Sequence, residues 1–145
     1  MAVAMTYVDT SALVALFTGE SRGDALLRWL ARHSRGEYCI SDWVITEFAS
    51  ALAIKARRGD IEGDQAAQVW LAFDDACDTL LKVEPVQADD FRHAAGLCLQ
   101  RATGLRSGDS LHLAIASRLA CKDVISFDDT LNRNARASGL GVIAP

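Results

Sequence analysis

Proline is almost missing from this chain: Pro85 and Pro145 are the two in 145 residues. Regular elements therefore run with few forced breaks, and no Pro/Gly/Ser-rich linker divides the sequence. Paired cysteines are missing too. Cys39, Cys77, Cys98 and Cys121 are scattered, with no C-x-x-C pair and no histidine at zinc-finger spacing. That excludes a disulfide framework and a zinc knuckle, and reads as small core residues in a reducing compartment. There is no basic excess, since the formal net charge is −4. A protein that coats nucleic acid by charge alone is disfavoured, whereas an acidic cleft neutralised by metal ions is not. No stretch reaches the ~20 apolar residues that cross a bilayer. The N-terminus lacks a basic n-region and Asp9 interrupts its apolar run, which argues against a signal peptide. The expectation is a cytoplasmic protein with no membrane partner.

What is present is a hydrophobic half of the sequence, without internal repeats or low-complexity tracts. A chain of this length buries roughly 70% of its unfolded surface, so one domain over residues 1–145 needs no staples. Apolar periodicity and punctuation predict strands at Thr6–Val8, Glu37–Ser41, Thr79–Val83, Asp123–Phe127 and Gly141–Ala144. Helices are predicted at Ser11–Phe17, Ser21–His33, from a Ser41 or Asp42 cap to Arg58, and at Glu62–Cys77, Gln87–Ala102, Ser107–Leu119 and Thr130–Ala137. Thr10 or Ser11 is the candidate cap of the first helix, and Gly59 ends the third. Strands alternating with helices predict a parallel sheet covered on both faces, with every strand C-terminus on one edge.

Four acids stand in apolar surroundings. Asp9 is the only charged residue before Glu20, and Glu47 the only one from Trp43 through Ile54. Asp109 is the only acid in Ser107–Ser117, which holds no lysine or arginine, and Asp128 follows Val124-Ile125-Ser126-Phe127. Each has an ordinary alternative. Asp9 and the Asp128–Asp129 pair suit helix caps, Asp109 suits a helix first turn, and Glu47 suits a solvated helix face. Buried acids, however, need a partner or a task. Asp9 and Asp128 end strands, and Glu47 and Asp109 lie early in helices, so a parallel sheet brings all four to one edge. Carboxylates crowded there repel, and a hard divalent cation relieves the repulsion. An all-oxygen donor set favours Mg²⁺, with Mn²⁺ as substitute, and such an ion serves phosphodiester hydrolysis.

Other polar residues are weighed beside these. His112, one turn after Asp109, suits a buried, hydrogen-bonded histidine better than a ligand or general base. Lys55, Arg57 and Arg58 suit the C-terminal dipole of their helix better than RNA phosphates. Arg106, just before Asp109, is the better groove residue by location. Trp29, Trp43 and Trp70 sit among apolar neighbours and read as packing rather than base stacking.

The motifs Tyr-Val-Asp9-Thr-Ser-Ala-Leu, Thr46-Glu47-Phe, Gly-Leu-Arg-Ser-Gly-Asp109-Ser-Leu-His-Leu-Ala-Ile-Ala and Ile-Ser126-Phe-Asp128-Asp-Thr-Leu occur in that order along nearly the whole chain. So arranged, the chain resembles the PIN-domain ribonucleases, and most closely the VapC-type toxins of toxin–antitoxin pairs. The resemblance implies a three-layer α/β/α sandwich with a five-stranded parallel sheet and Mg²⁺-dependent endonucleolytic cleavage of RNA. It implies Asp9, Glu47, Asp109 and Asp128 as the acidic, metal-binding site residues, with Ser126 and Ser11 in support. It also implies a homodimer and a small antitoxin protein as partner. Ser110 stands where the family commonly has alanine, and Asp129 competes with Asp128 for the metal-facing position, which goes to Asp128 because it keeps the Asp-x-x-Leu spacing to Leu131. Two rivals are an RNA-processing nuclease of the same fold without an antitoxin, and aspartyl-phosphate chemistry at Asp9-Thr10-Ser11. A non-catalytic binding module is the third.

Overall fold

The computed structural model describes residues 3–33 and 36–145. Its elements follow in the order β1 (Met5–Val8), α1 (Thr10–Phe17), α2 (Ser21–Arg32), β2 (Glu37–Ser41), α3 (Asp42–Arg58), α4 (Gly63–Thr79) and β3 (Lys82–Glu84). Then come α5 (Ala88–Leu99), a 3-10 turn (Arg101–Thr103), α6 (Ser107–Arg118), β4 (Asp123–Ile125), α7 (Asp129–Ala137) and β5 (Gly141–Ile143). The strands form one parallel sheet in the order β3-β2-β1-β4-β5. From β1 the chain steps outward through β2 to β3, then crosses back to β4 and steps the other way to β5. Right-handed crossovers put α1–α4 on one face and α5–α7 on the other. The main helix contacts split the same way: α1 with α2 and α3, α3 with α4, α5 with α6, and α6 with α7. The five-stranded parallel sheet between helical layers is the expected architecture.

Burial on both faces explains the strand composition. Tyr7, Val8, Ile40, Val124 and Ile125 are buried, and Phe48, Phe73, Leu26, Ile115 and Leu131 close over them from the helices. Phe48 stacks on Phe73 with ring centroids 3.9 Å apart, and Phe17 meets both edge-on. Trp29, Trp43 and Trp70 pack against this core, as the packing alternative holds. Cys39 and Cys121 are buried and unbridged, with sulfurs 3.6 Å apart. α2 approaches α1 so closely at Gly23 that a Cβ there would lie 2.0 Å from the Ala15 carbonyl oxygen. Gly59 ends α3 at φ +78°, a conformation that glycine adopts freely.

Several boundaries differ from expectation. The third strand is Lys82–Glu84, because Thr79 still belongs to α4 and the Ala76 carbonyl accepts from the Leu80 and Leu81 amides, winding the helix out. The helix predicted to Ala102 stops at Leu99, and a 3-10 turn follows. β4 ends at Ile125, where the Ser126 hydroxyl turns to Asp9 and the Phe127 amide to the Ser11 hydroxyl. Caps differ too. Asp9, not Thr10 or Ser11, caps α1 by accepting from the Ala12 amide. Ser41 precedes α3 without capping it, because its hydroxyl meets Tyr7 instead.

Candidate active site

β1 and β4 are neighbours whose following crossovers leave in opposite directions, which makes their C-terminal ends the switch point of the sheet. Asp9 comes directly after β1 and Ser126 directly after β4. The Asp9 amide still bonds the Ile125 carbonyl at 3.1 Å, so the two strand ends are fixed to each other. Asp9 is 2% exposed. Its Oδ1 accepts from Ser11 Oγ at 2.7 Å and from the Ala12 amide at 3.1 Å, and its Oδ2 accepts from Ser126 Oγ at 2.7 Å. Burial pushes its pKa up; the nearby His112, Ser126 and Ser11 pull against that without cancelling it. The cap alternative for Asp9 is thus real, and it is not the whole account, since a cap needs neither serine.

Both serines also tie down the chain after β4. Ser11 Oγ accepts from the Phe127 amide at 3.0 Å, and Ser126 Oγ accepts from the Asp128 amide at 3.0 Å. Asp128 caps α7 through Oδ1, 2.7 Å from the Leu131 amide. It is half-buried, whereas Asp129 is exposed. Of the pair, Asp128 is the one whose charge acts on Asp109.

Glu47 lies in the second turn of α3, half-buried rather than on a solvated face. Its Oε1 accepts from Thr10 Oγ1 at 2.7 Å and from His112 Nε2 at 2.6 Å. Burial would raise its pKa, but the His112 hydrogen bond and charge, together with Thr10, hold it below the usual range. Asp109 is the third residue of α6 and has the opposite character. Burial first, then the charges of Asp128, Asp9 and Glu47, push it up to about 6. The charges of Asp128, Asp9 and Glu47 therefore all reach Asp109.

Among the described residues no three His, Cys, Asp or Glu side chains form a ready-made metal cage. The chemistry nonetheless fits a divalent cation. The donors are all oxygens, and Asp109 carries a mutual repulsion that such an ion would relieve.

Of the secondary candidates, Arg106 is exposed and precedes α6. Lys55 pairs with Glu20 at 2.7 Å, and Arg57 and Arg58 are exposed in the last turn of α3. Ser110 is fully buried and satisfied, donating to the Ser107 carbonyl at 2.9 Å with Cys98 Sγ 3.0 Å away. Sequence reasoning missed Tyr7 and Ser41 as part of the site, and Thr10 as a partner of Glu47. Tyr7 offered a signal: a tyrosine inside a buried strand must find a partner for its hydroxyl. It missed Gly108 as well, where a Cβ would lie 3.0 Å from Glu47 Oε2.

A buried acid at the switch point of a parallel α/β sheet, held by two serines, defines a class, and the chain belongs to the PIN domain family, whose model matches residues 6–137. Within that family it is similar to Ribonuclease VapC46 of Mycobacterium tuberculosis, at 34% identity over 99% of both chains. Its fold is also that of VapC20 from Mycobacterium tuberculosis, described as a sarcin-ricin-loop-cleaving toxin, with TM-score 0.73 and 21% identity over 97% of this chain and 99% of that one. VapBC2 from Rickettsia felis, solved bound to a fragment of its promoter DNA, gives TM-score 0.65 and 15% identity over 96% and 97% of the two chains.

Proposed function

We propose that this protein is a Mg²⁺-dependent endoribonuclease acting as the toxin of a toxin–antitoxin pair. The observation that carries the reading is Asp9, buried at the switch point of the sheet and held through both carboxylate oxygens by Ser11 and Ser126, with Asp109 pushed up to about 6 by burial and by the charges of Asp128, Asp9 and Glu47. Family membership and the VapC46 likeness supply the ribonuclease class. Asp9, Glu47, Asp109 and Asp128 would hold the ion. When bound, a divalent ion polarises a phosphoryl oxygen and lowers the pKa of a water.

The chain's own residues do the positioning. Ser11 and Ser126 hold Asp9 from both oxygens, the Leu131 amide fixes Asp128, and Thr10 with His112 fixes Glu47. Exposed Arg106 at the start of α6 is suited to a phosphate of the RNA. The likeness to VapBC complexes supports a small antitoxin partner for this chain. The reading further includes a homodimer in the cytoplasm.

Asp9→Asn and Asp109→Asn test the site. Each is expected to fold and to cut RNA at least ~100-fold more slowly than the parent, as when a transition-state charge partner is lost. Full activity in either variant would contradict the assignment. Induced expression in bacteria separates toxin from processing enzyme: growth arrest should be relieved by the small protein encoded beside it, and indifference to that protein would favour a nuclease without an antitoxin.

A further inference from the structure

His112 is buried on a helix whose neighbouring residues, Leu111, Leu113, Ala114, Ile115 and Ala116, are all buried and apolar. Packing alone would be served by one more aliphatic side chain. Instead a polar chain runs through the core. Ser41 Oγ lies 3.0 Å from the Tyr7 hydroxyl, Tyr7 lies 2.8 Å from His112 Nδ1, and His112 Nε2 lies 2.6 Å from Glu47 Oε1. Ser41 and Tyr7 are 0% exposed and His112 is 2% exposed. Thr10 reaches the same Glu47 oxygen from α1 at 2.7 Å. Side chains from α6 and α1 thus converge on one oxygen of a residue on α3, with Tyr7 of β1 and Ser41 of β2 behind His112.

The donor directions follow from chemistry. A carboxylate only accepts, so the proton between His112 and Glu47 sits on Nε2. Tyr7 occupies Nδ1 and keeps the ring from turning over. Oε1 of Glu47 receives two hydrogen bonds, while Oε2 receives none among the described residues. Oε2 instead faces Gly108, beside Asp109, where the missing Cβ leaves it room.

We propose that His112 is a positioning residue for Glu47: backed by Tyr7 and Ser41, its Nε2–H pins Oε1, so that Oε2 is the oxygen presented to a divalent cation. The inference rests on the metal-site reading above. A glutamate has three side-chain torsions, and an unpinned one would sample many orientations of its carboxylate. Groups that orient a metal ligand from behind typically change metal affinity or activity by about 10–100-fold when removed.

The test compares His112→Leu, which keeps bulk and loses the donor, with His112→Gln, which restores an N–H, and with Tyr7→Phe, which removes only the hydroxyl. Each is first shown to be folded by circular dichroism and thermal melting. Mn²⁺ affinity is then measured by calorimetry, and kcat and KM for an RNA oligonucleotide are measured separately. The expected results are Mn²⁺ affinity at least ~10-fold weaker in His112→Leu, partial recovery in His112→Gln, an intermediate loss in Tyr7→Phe, and a fall in kcat with little change in KM. A folded His112→Leu with parental Mn²⁺ affinity overturns the proposal, as does a glutamine no better than leucine. Should His112→Leu fail to fold, Tyr7→Phe and the NMR spectrum of the parent protein decide. That spectrum should show a slowly exchanging proton on His112 Nε2, and an unprotonated Nε2 contradicts the proposal without any variant. A parent protein that binds no Mn²⁺ and cuts no RNA removes the nuclease reading and this role with it. Mn²⁺ binding by the parent with indifferent variants removes only the role of His112.

Discussion

Asp109 costs the folded protein stability at neutral pH. Its carboxyl is raised to about 6 by burial and by Asp128, Asp9 and Glu47, against about 4 in an unfolded chain. Below pH 4 the group is protonated in both states and contributes nothing. Between about 4 and 6 the native state binds more protons, so stability falls as pH rises, and above 6 the full penalty is present. Asp9, raised by burial, has the same sign. Glu47 runs the other way: its lowered pKa gives stability that is present above its ordinary value and lost as pH falls through the depressed one. Metal-free Asp109→Asn should therefore melt higher than the parent at pH 7 and gain nothing at pH 3.5, as measured by calorimetric melting in EDTA. Equal melting at pH 7 would contradict this. Three of the four acids are legible in the sequence because a lone charge in an apolar run is a local signal. The pairing of Tyr7 with Ser41 and His112 is not, because its partners lie 34 and 105 residues away. The Asp-x-x-Leu spacing to Leu131 favours Asp128 over Asp129, and the structure has Asp128 half-buried and Asp129 exposed.

Two joints between helices can be tested directly. At Gly23 a Cβ would meet the Ala15 carbonyl oxygen at 2.0 Å, and backbone cannot step aside as a side chain can. Gly23→Ala should part α1 from α2 and cost about 3 kcal/mol in urea denaturation, at the upper end of the usual overpacking range. A loss under 1 kcal/mol would mean that the helices separate easily. Between α5 and α6, Arg118 Nε and Nη2 donate to both oxygens of Asp90 at 2.7 and 3.0 Å, and Nη2 also reaches the Pro85 carbonyl at 3.0 Å. Asp90 is 2% exposed, so Arg118→Met would leave a buried carboxylate with only its bond to the Gln87 amide. A loss of about 3 kcal/mol is expected by the same denaturation measurement. The elements themselves were largely readable from glycine punctuation and apolar periodicity. Their ends were not, since termination depended on carbonyls and hydroxyls already committed elsewhere. Ala76 held two amides past the predicted end of α4, and Asp9 and Ser126 bonded each other where β4 was expected to continue.

At the scale of the molecule, strand order brings acids far apart in the sequence to one edge of the sheet. The order β3-β2-β1-β4-β5 makes β1 and β4 neighbours at the point where the crossovers diverge, so the chain segments that carry Asp9 and Asp128 leave the sheet side by side. The sequence supports a parallel sheet with its functional edge at the strand C-termini, and the PIN resemblance adds the five-stranded sandwich. Periodicity does not specify which strands are adjacent. The proposed function requires that this edge cut RNA with the help of a divalent ion. The direct measurement is cleavage of a labelled RNA by the purified protein in Mg²⁺, then in EDTA, then with excess Mg²⁺ restored. The account predicts cleavage, its loss and its return. Undiminished cleavage in EDTA, or intact RNA throughout, would contradict it.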